Sequence, residues 1–453
     1  MWYYLRSNIK KLNKKLKSDK EIINSLNSFL ENTDQRTGSL MLDLKKLQEV
    51  DGMETWRQKE AQELSDLVQR RLRYLQNPKD CSKTNKLVCD IDKNCGFGCQ
   101  IHHAVYCFIV AYGTQRTLIL RSKNWRYSRE GWEAMFQPIS VNCTDEYGVS
   151  RANWSESNDA QVIYLPILDE VHPRPPYLPP VIPKDLSDRF MRLHSNPIVW
   201  WIGQFLKYLL RPQESLSKFL KEAEKKVDFN LPVVGIHVRR TDKLWSEGAF
   251  HKVEEYMEHV KTYYKQLELK QPIEKRQVYI ATDDPNLLEE CWNKFPGYTF
   301  IGEPDTAKVA AVIDTRYSPE ALKGVVEDIY MLSKTDLLIC TFSSQLGRLA
   351  YEIMQTNHPD ASSNFRSLDD IFYFGGQDYP YQTVIYDHQP RSSEEIELKK
   401  GDVLIPRTNL WNGFSIGMLR HNNKSGVYPS YKVVDQIQVQ EFPLYKEADD
   451  VNS

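Results

Sequence analysis

The stretch PVVGIHVRRTDKLWSEGAF, residues 232–250, decides the fold. Residues 232–238 form an apolar run suited to a buried strand, and it delivers Arg239, Arg240, Asp242 and Lys243 where the strand ends. Working outward, residues 277–281 and 337–340 repeat the apolar run, with helical stretches near 253–267 and 319–333 between them. That alternation predicts a Rossmann-like unit over residues 231–372. No G-x-G-x-x-G opens it, so a dinucleotide cofactor has no support. A nucleotide still has a place at the C-terminal ends of the strands, where open α/β sheets bind ligands.

Guanidinium groups there suit a diphosphate leaving group, because Arg offers a fixed, always charged fork matched to phosphate oxygens. An ion pair between neighbours such as Arg240 and Asp242 is the competing reading, and it weighs more on Arg240 than on Arg239. A second run, DLLICTFSSQLGRLAYEI at 336–353, ends a strand in Thr341 and starts a helix at Ser343 and Ser344. Ser at a helix start caps it, and the same helix end suits phosphate. Asp328, on the preceding helix, could accept from a guanine edge. ATDDP at 281–285 ends another strand in Asp283 and Asp284, which point to opposite sides if extended. They are poor chelators there and good acceptors for sugar hydroxyls. Asp90-Ile91-Asp92 matches a metal-binding Asp-x-Asp by letters alone, since it lies inside a cysteine cluster. Glu247 is a plausible base only because it follows the arginines on the same loop.

The chain has 453 residues and a formal net charge of −2, which predicts several globular units and gives no electrostatic case for nucleic acid or an anionic membrane. Six of the eight cysteines fall between Cys81 and Cys143, at Cys81, Cys89, Cys95, Cys99, Cys107 and Cys143. Their even number reads as a disulfide cluster. A zinc site has little support: no Cys-x-x-Cys occurs, and His102 and His103 are not at a helpful spacing. Sequons at Asn142, Asn153 and Asn423 also point to an oxidising compartment. No apolar run is long enough to span a bilayer, so any anchor is expected upstream.

Residues 1–76 carry apolar positions on a 3,4 spacing, among them Leu5, Ile9, Leu12, Leu30, Leu40, Leu44 and Leu47. The spacing predicts a helical stem that loosens around Thr33, Thr37 and Gly38. It fits either a helix packed on its own domain or a homodimeric coiled coil, and the coiled coil is preferred. Residues 77–230 hold the cysteine cluster, strand-like runs at 116–121 and 161–165, the Pro-rich HPRPPYLPPVIP at 172–183 and a helix near 198–210, an open α/β unit.

Residues 373–441 are similar to SH3 domains. Tyr386-Asp387, the acidic Glu394, Glu395 and Glu397, Lys400-Gly401-Asp402, Trp411 and Pro429-Ser430-Tyr431 follow in order. His388 stands where peptide-binding members usually carry a second Tyr, and this weakens the case for Pro-rich ligands.

HVRRTDK, ATDDP, CTFSSQ, the HPRPPYLP segment, the cysteine cluster and the terminal module together resemble the eukaryotic core α1,6-fucosyltransferases, over roughly residues 78–434. The resemblance implies a GT-B-type body and an inverting transfer of fucose from GDP-fucose to the 6-hydroxyl of the innermost GlcNAc of N-glycans, with no metal or other cofactor required. It implies a Golgi-lumenal enzyme, type II in its full-length form. Matched by position, Arg239 neutralises the β-phosphate, with Lys243 nearby. His237, Arg240, Asp242, Tyr127, Arg316, Asp328, Ser343, Ser344 and Gln345 help to hold the donor. Glu247 matches the general base, and Lys93, Asp169, Asp283 and Asp284 match acceptor positions. The implied disulfides are Cys81 with Cys143, Cys89 with Cys107, and Cys95 with Cys99. Vertebrate relatives have a further cysteine where this chain has Gly347, which leaves Cys340 without that partner. They also have a His before the SH3 Trp, where this chain has Leu410. The alternatives are a GDP-fucose transferase acting on protein Ser/Thr or a chitin-type oligosaccharide, and a non-catalytic SH3 adaptor.

Overall fold

A computed structural model describes residues 2–15, 20–156, 159–240, 249–312, 315–373 and 380–449. The chain opens with α1 (Trp2–Lys15), α2 (Lys20–Val50) and α3 (Met53–Gln76). These do not form one rod. Arg6 meets Asp34 at 3.0 Å and Asn13 donates to Asn27 at 2.7 Å, so α1 runs antiparallel to α2. The loosening expected near Gly38 does not occur. Thr33 satisfies its hydroxyl on the Phe29 carbonyl at 2.7 Å, and Gly38 gives room to Leu269, whose Cδ1 would lie 2.8 Å from an added Cβ. The chain turns instead at Gly52, where φ is 77° and a residue without Cβ is at ease.

β1 (Lys86–Asp90), α4 (Phe97–Gly113), β2 (Thr117–Arg121), β3 (Arg151–Asn153) and β4 (Val162–Tyr164) follow. The four strands make a parallel sheet in the order β2-β1-β4-β3. α4 is apolar nearly all round, and almost every residue along it is buried, as such a helix requires. Disulfides join Cys81 to Cys143, Cys89 to Cys107 and Cys95 to Cys99, the last two tying α4 to its surroundings. After β5 (Val181–Pro183) come α5 (Lys184–Leu193), α6 (Pro197–Leu209) and α7 (Glu214–Lys226).

The second sheet is built from β6 (Val233–Val238), α8 (Val253–Leu267), β7 (Gln277–Thr282), α9 (Leu287–Lys294), β8 (Thr299–Ile301), α10 (Pro304–Ala311), α11 (Pro319–Lys334), β9 (Leu337–Cys340), α12 (Gln345–Asn357) and β10 (Phe365–Ser367). All its pairings are parallel, in the order β10-β9-β6-β7-β8. The order reverses between β6 and β9, as in doubly wound sheets. One core cluster joins the first sheet and its helices to a face of the second sheet, and another fills the face under α8 and α9. α12 crosses α6 closely at Gly203, where an added Cβ would lie 2.5 Å from the Glu352 carbonyl oxygen.

β11 (Gln382–Val384), β12 (Val403–Asn409), β13 (Phe414–Leu419), β14 (Ser425–Pro429) and β15 (Val433–Asp435) form an antiparallel sheet ordered β14-β13-β12-β11-β15. This module is held by its own chain. Tyr4 of α1 is buried against Phe414 and Tyr431, with ring centroids 5.0 and 5.3 Å apart. The Trp411 indole donates to the Ser367 carbonyl of β10 at 2.6 Å. β16 (Gln438–Gln440) then pairs with β5, and α13 (Lys446–Asp449) returns to α3, where the buried Arg71 binds Asp449 at 2.7 Å and Asp185 at 2.6 Å. Among the described residues no helix is long and apolar enough to cross a membrane.

Candidate functional site

Strand order reverses between β6 and β9, the switch point at which open α/β sheets form a ligand crevice outside the C-terminal ends of their strands. Arg239 is the first residue after β6. Its Nη1 lies 3.2 Å from the Asp283 carboxylate, whose side chain is only 1% exposed. The other Asp283 oxygen accepts the Arg240 backbone N–H at 2.8 Å. One buried carboxylate therefore fixes a guanidinium and the backbone that carries it, and these bonds offset the cost of burying its charge. Arg240 turns the other way, to Asp284 at 3.1 Å and Glu290 at 2.7 Å, over the Phe250 ring. Asp283 and Asp284 do face different groups, and both are engaged with arginines.

Beside Asp284 a small, open cleft is lined by Thr282, Leu288, Glu303, Ala307 and Asp328. Tyr279 donates its hydroxyl to Asp328 at 2.8 Å. Burial pushes the Asp328 carboxyl up to about 8 and that of Glu327 up to about 7. His237 lies buried within β6, both faces of which are covered.

At the end of β9, Ser343 and Ser344 are buried. Ser344 is the N-cap of α12, yet its side chain makes no capping bond, contrary to the expected Ser cap. Its N–H donates to the Thr341 carbonyl at 3.1 Å, and the Ser343 N–H faces Asp369 at 3.5 Å. Gln345 opens the helix and reaches His102 of α4, so the first unit abuts this loop.

Tyr127 comes from the first unit and is buried against Phe97 and Tyr317 at 5.8 and 5.3 Å. Arg316 precedes Tyr317, and its N–H is held by the Val312 carbonyl at 3.1 Å. Lys93 and Asp169 follow the adjacent strands β1 and β4 and form an ion pair with each other. Asp92 is held by Arg126 at 2.7 Å. Asp242, Lys243 and Glu247 lie outside the described residues. Reading the sequence missed Glu290, Tyr279 and Tyr317. Glu290 is one of two adjacent acids on α9, and no spacing marks it out. Tyr279 could have been found, because a Tyr within an apolar strand needs a partner for its hydroxyl.

Fold and site together define an α/β body whose arginines and carboxylates gather at the C-terminal ends of the neighbouring parallel strands β6 and β7. The family model described as alpha-(1,6)-fucosyltransferase N- and catalytic domains matches residues 1–373. The alpha-(1,6)-fucosyltransferase of Drosophila melanogaster is 47% identical over 448 residues, 98% of this chain and 72% of that protein. That of Caenorhabditis elegans is 41% identical over 404 residues, 88% of this chain and 72% of that protein. The solved fucosyltransferase NodZ from Bradyrhizobium is 12% identical, spanning 60% of this chain and 93% of that one, with a TM-score of 0.37. The chain belongs to the alpha-(1,6)-fucosyltransferase family and is an enzyme of that class.

Proposed function

We propose that this enzyme transfers L-fucose from GDP-fucose to the 6-hydroxyl of the innermost GlcNAc of N-glycans, inverting the anomeric centre without a metal. The observation that carries this reading is Arg239, held by buried Asp283 at the reversal of strand order. A guanidinium fixed in advance spends nothing on reorganisation as charge grows on the departing diphosphate. Lys243 adds a second positive charge. Glu247 takes the proton from the acceptor hydroxyl as it attacks the anomeric carbon opposite GDP. Asp328 accepts from the guanine edge, with His237, Arg240, Asp242, Tyr127, Arg316, Ser343, Ser344 and Gln345 completing the donor site. Lys93, Asp169, Asp283 and Asp284 face the acceptor side.

The same reading assigns a GT-B-type body with residues 1–76 as a stem, 77–230 as an open α/β domain, 231–372 as the donor domain and 373–441 as an SH3 domain. It places the enzyme in the Golgi lumen behind a type II anchor. Along α2, Leu40, Leu44 and Leu47 are 58%, 49% and 58% exposed, a stripe that a second copy of the stem would cover. The test is incubation of the purified chain with radiolabelled GDP-fucose and a GlcNAc-terminated N-glycan in EDTA. The expected product carries α1,6-linked fucose on the innermost GlcNAc. A different linkage or acceptor, or dependence on metal, would overturn the corresponding part.

A further inference from the structure

α4 and α12 belong to different sheets, yet they meet through one buried ring. The His102 side chain is 7% exposed. Its Nδ1 lies 2.5 Å from the Gln345 side-chain amide, and its Nε2 donates to the Glu352 carboxylate at 2.9 Å. Gln345 and Glu352 are seven residues apart, two turns along the same face of α12, so the ring grips the helix at its first residue and again deeper in. The Glu352 side chain is 1% exposed, which leaves His102 to satisfy it.

The neighbouring positions of α4 fit the same contact. Gly98, one turn earlier, lets the backbone approach: an added Cβ would lie 2.7 Å from Gln345 Cβ and 3.1 Å from its carbonyl carbon. Tyr106, one turn later, stacks on the ring with centroids 6.1 Å apart. Phe97, next to Gly98, packs on Tyr127. The start of α4 therefore touches both Tyr127 and the start of α12 after Ser343 and Ser344.

We propose that His102 is a positioning residue for the donor site, acting through Gln345. On the reading that GDP-fucose binds at this crevice, the ring sets where α12 begins and therefore where the Ser343-Ser344 turn meets the diphosphate. The missing side-chain cap on α12 is consistent with this, because the helix start is held from the side by α4. Glu352 fixes the ring, and Gly98 sets the distance between the helices.

Donor binding and turnover should be measured separately on the full chain, by calorimetric titration with GDP and by steady-state kinetics with GDP-fucose and a GlcNAc-terminated N-glycan. His102→Gln and Gly98→Ala are each expected to raise the GDP Kd and the donor KM about tenfold, with kcat within about twofold and the acceptor KM unchanged. Adding His102→Gln to Gln345→Ala should weaken GDP binding no further than Gln345→Ala alone. Unchanged donor KM in folded His102→Gln and Gly98→Ala overturns the proposal, and so does a lower melting temperature with unchanged donor KM. If the wild-type chain binds no GDP, the donor reading fails first and the proposal with it. If it binds GDP and the variants match it, the proposal alone fails.

Discussion

Arg239 and Asp283 leave the ends of adjacent parallel strands and meet at 3.2 Å, with the carboxylate buried. Asp283 also accepts the next residue's backbone N–H, so it orients the guanidinium from two sides. Arg239→Lys keeps the charge and loses the fork. We expect kcat to fall at least about 100-fold with circular dichroism and melting temperature unchanged. Asp283→Asn should cost less, since its one amide oxygen can still accept from the guanidinium or from the Arg240 N–H, though not from both. Wild-type rates in Arg239→Lys would remove this residue from the mechanism.

Asp328 carries a carboxyl raised to about 8 by burial. A guanine edge donates to the ionised form, so binding must remove the proton that the free enzyme holds. Affinity for GDP is therefore expected to increase as pH rises toward about 8 and to level off above it. Asp328→Asn should flatten that profile at the weaker affinity. Titration calorimetry between pH 6 and 9 checks both, and a flat wild-type profile counts against the guanine contact.

The same shift affects stability with a definite sign. Unfolded Asp328 ionises near its ordinary value, while the folded group stays protonated up to about 8. Its contribution to folding is therefore greatest at low pH and is lost as pH rises from about 4 to about 8. Asp328→Asn should remove that slope from chemical denaturation curves measured across the range.

Cys340 and Cys291 are buried free thiols. A Cβ added at Gly347 would lie 3.1 Å from both Cβ and Sγ of Cys340, slightly inside disulfide spacing. Gly347→Cys is expected to cross-link to Cys340 after a shift of a few tenths of an ångström. Thiol titration of the denatured, unreduced variant should then detect Cys291 alone. Peptide mapping that finds Cys340 still reduced would refute this.

The C-terminal β-module turns Phe414, Tyr431 and Trp411 onto its own chain and leaves Tyr386 exposed. Phe414 and Tyr431 hold Tyr4, while Trp411 is bonded to Ser367 and lies under Arg366 at 4.5 Å. His388 is buried and paired with Glu395 at 3.0 Å. The intact chain is therefore expected to show no micromolar binding to PxxP peptide arrays. Such binding would overturn this expectation.

How much was legible in the sequence depended on the range of the interaction. β6 and β9 could be read because a strand covered on both faces is nearly continuously apolar, and α8 because its buried residues recur with the helix period. The disulfide pairs came from the resemblance, since six cysteines allow fifteen connectivities and spacing selects none. The unbroken course of α2 past Gly38 was not readable, because local propensity disfavours Gly in a helix and Leu269, remote in sequence, occupies the space it leaves.

The sequence by itself determined the alternation of strands and helices, the oxidised cysteine cluster and the placing of Arg239 at a strand end. Each follows from covalent order and local pattern. Only the tertiary structure decided that Asp283 holds Arg239, that Arg240 turns to Glu290, that His102 joins α4 to α12 and that α1 closes over the C-terminal module. Those pairings join groups far apart along the chain. A buried charge or ring accepts whichever partner packing brings within about 3 Å, and residue order alone does not fix which one that is.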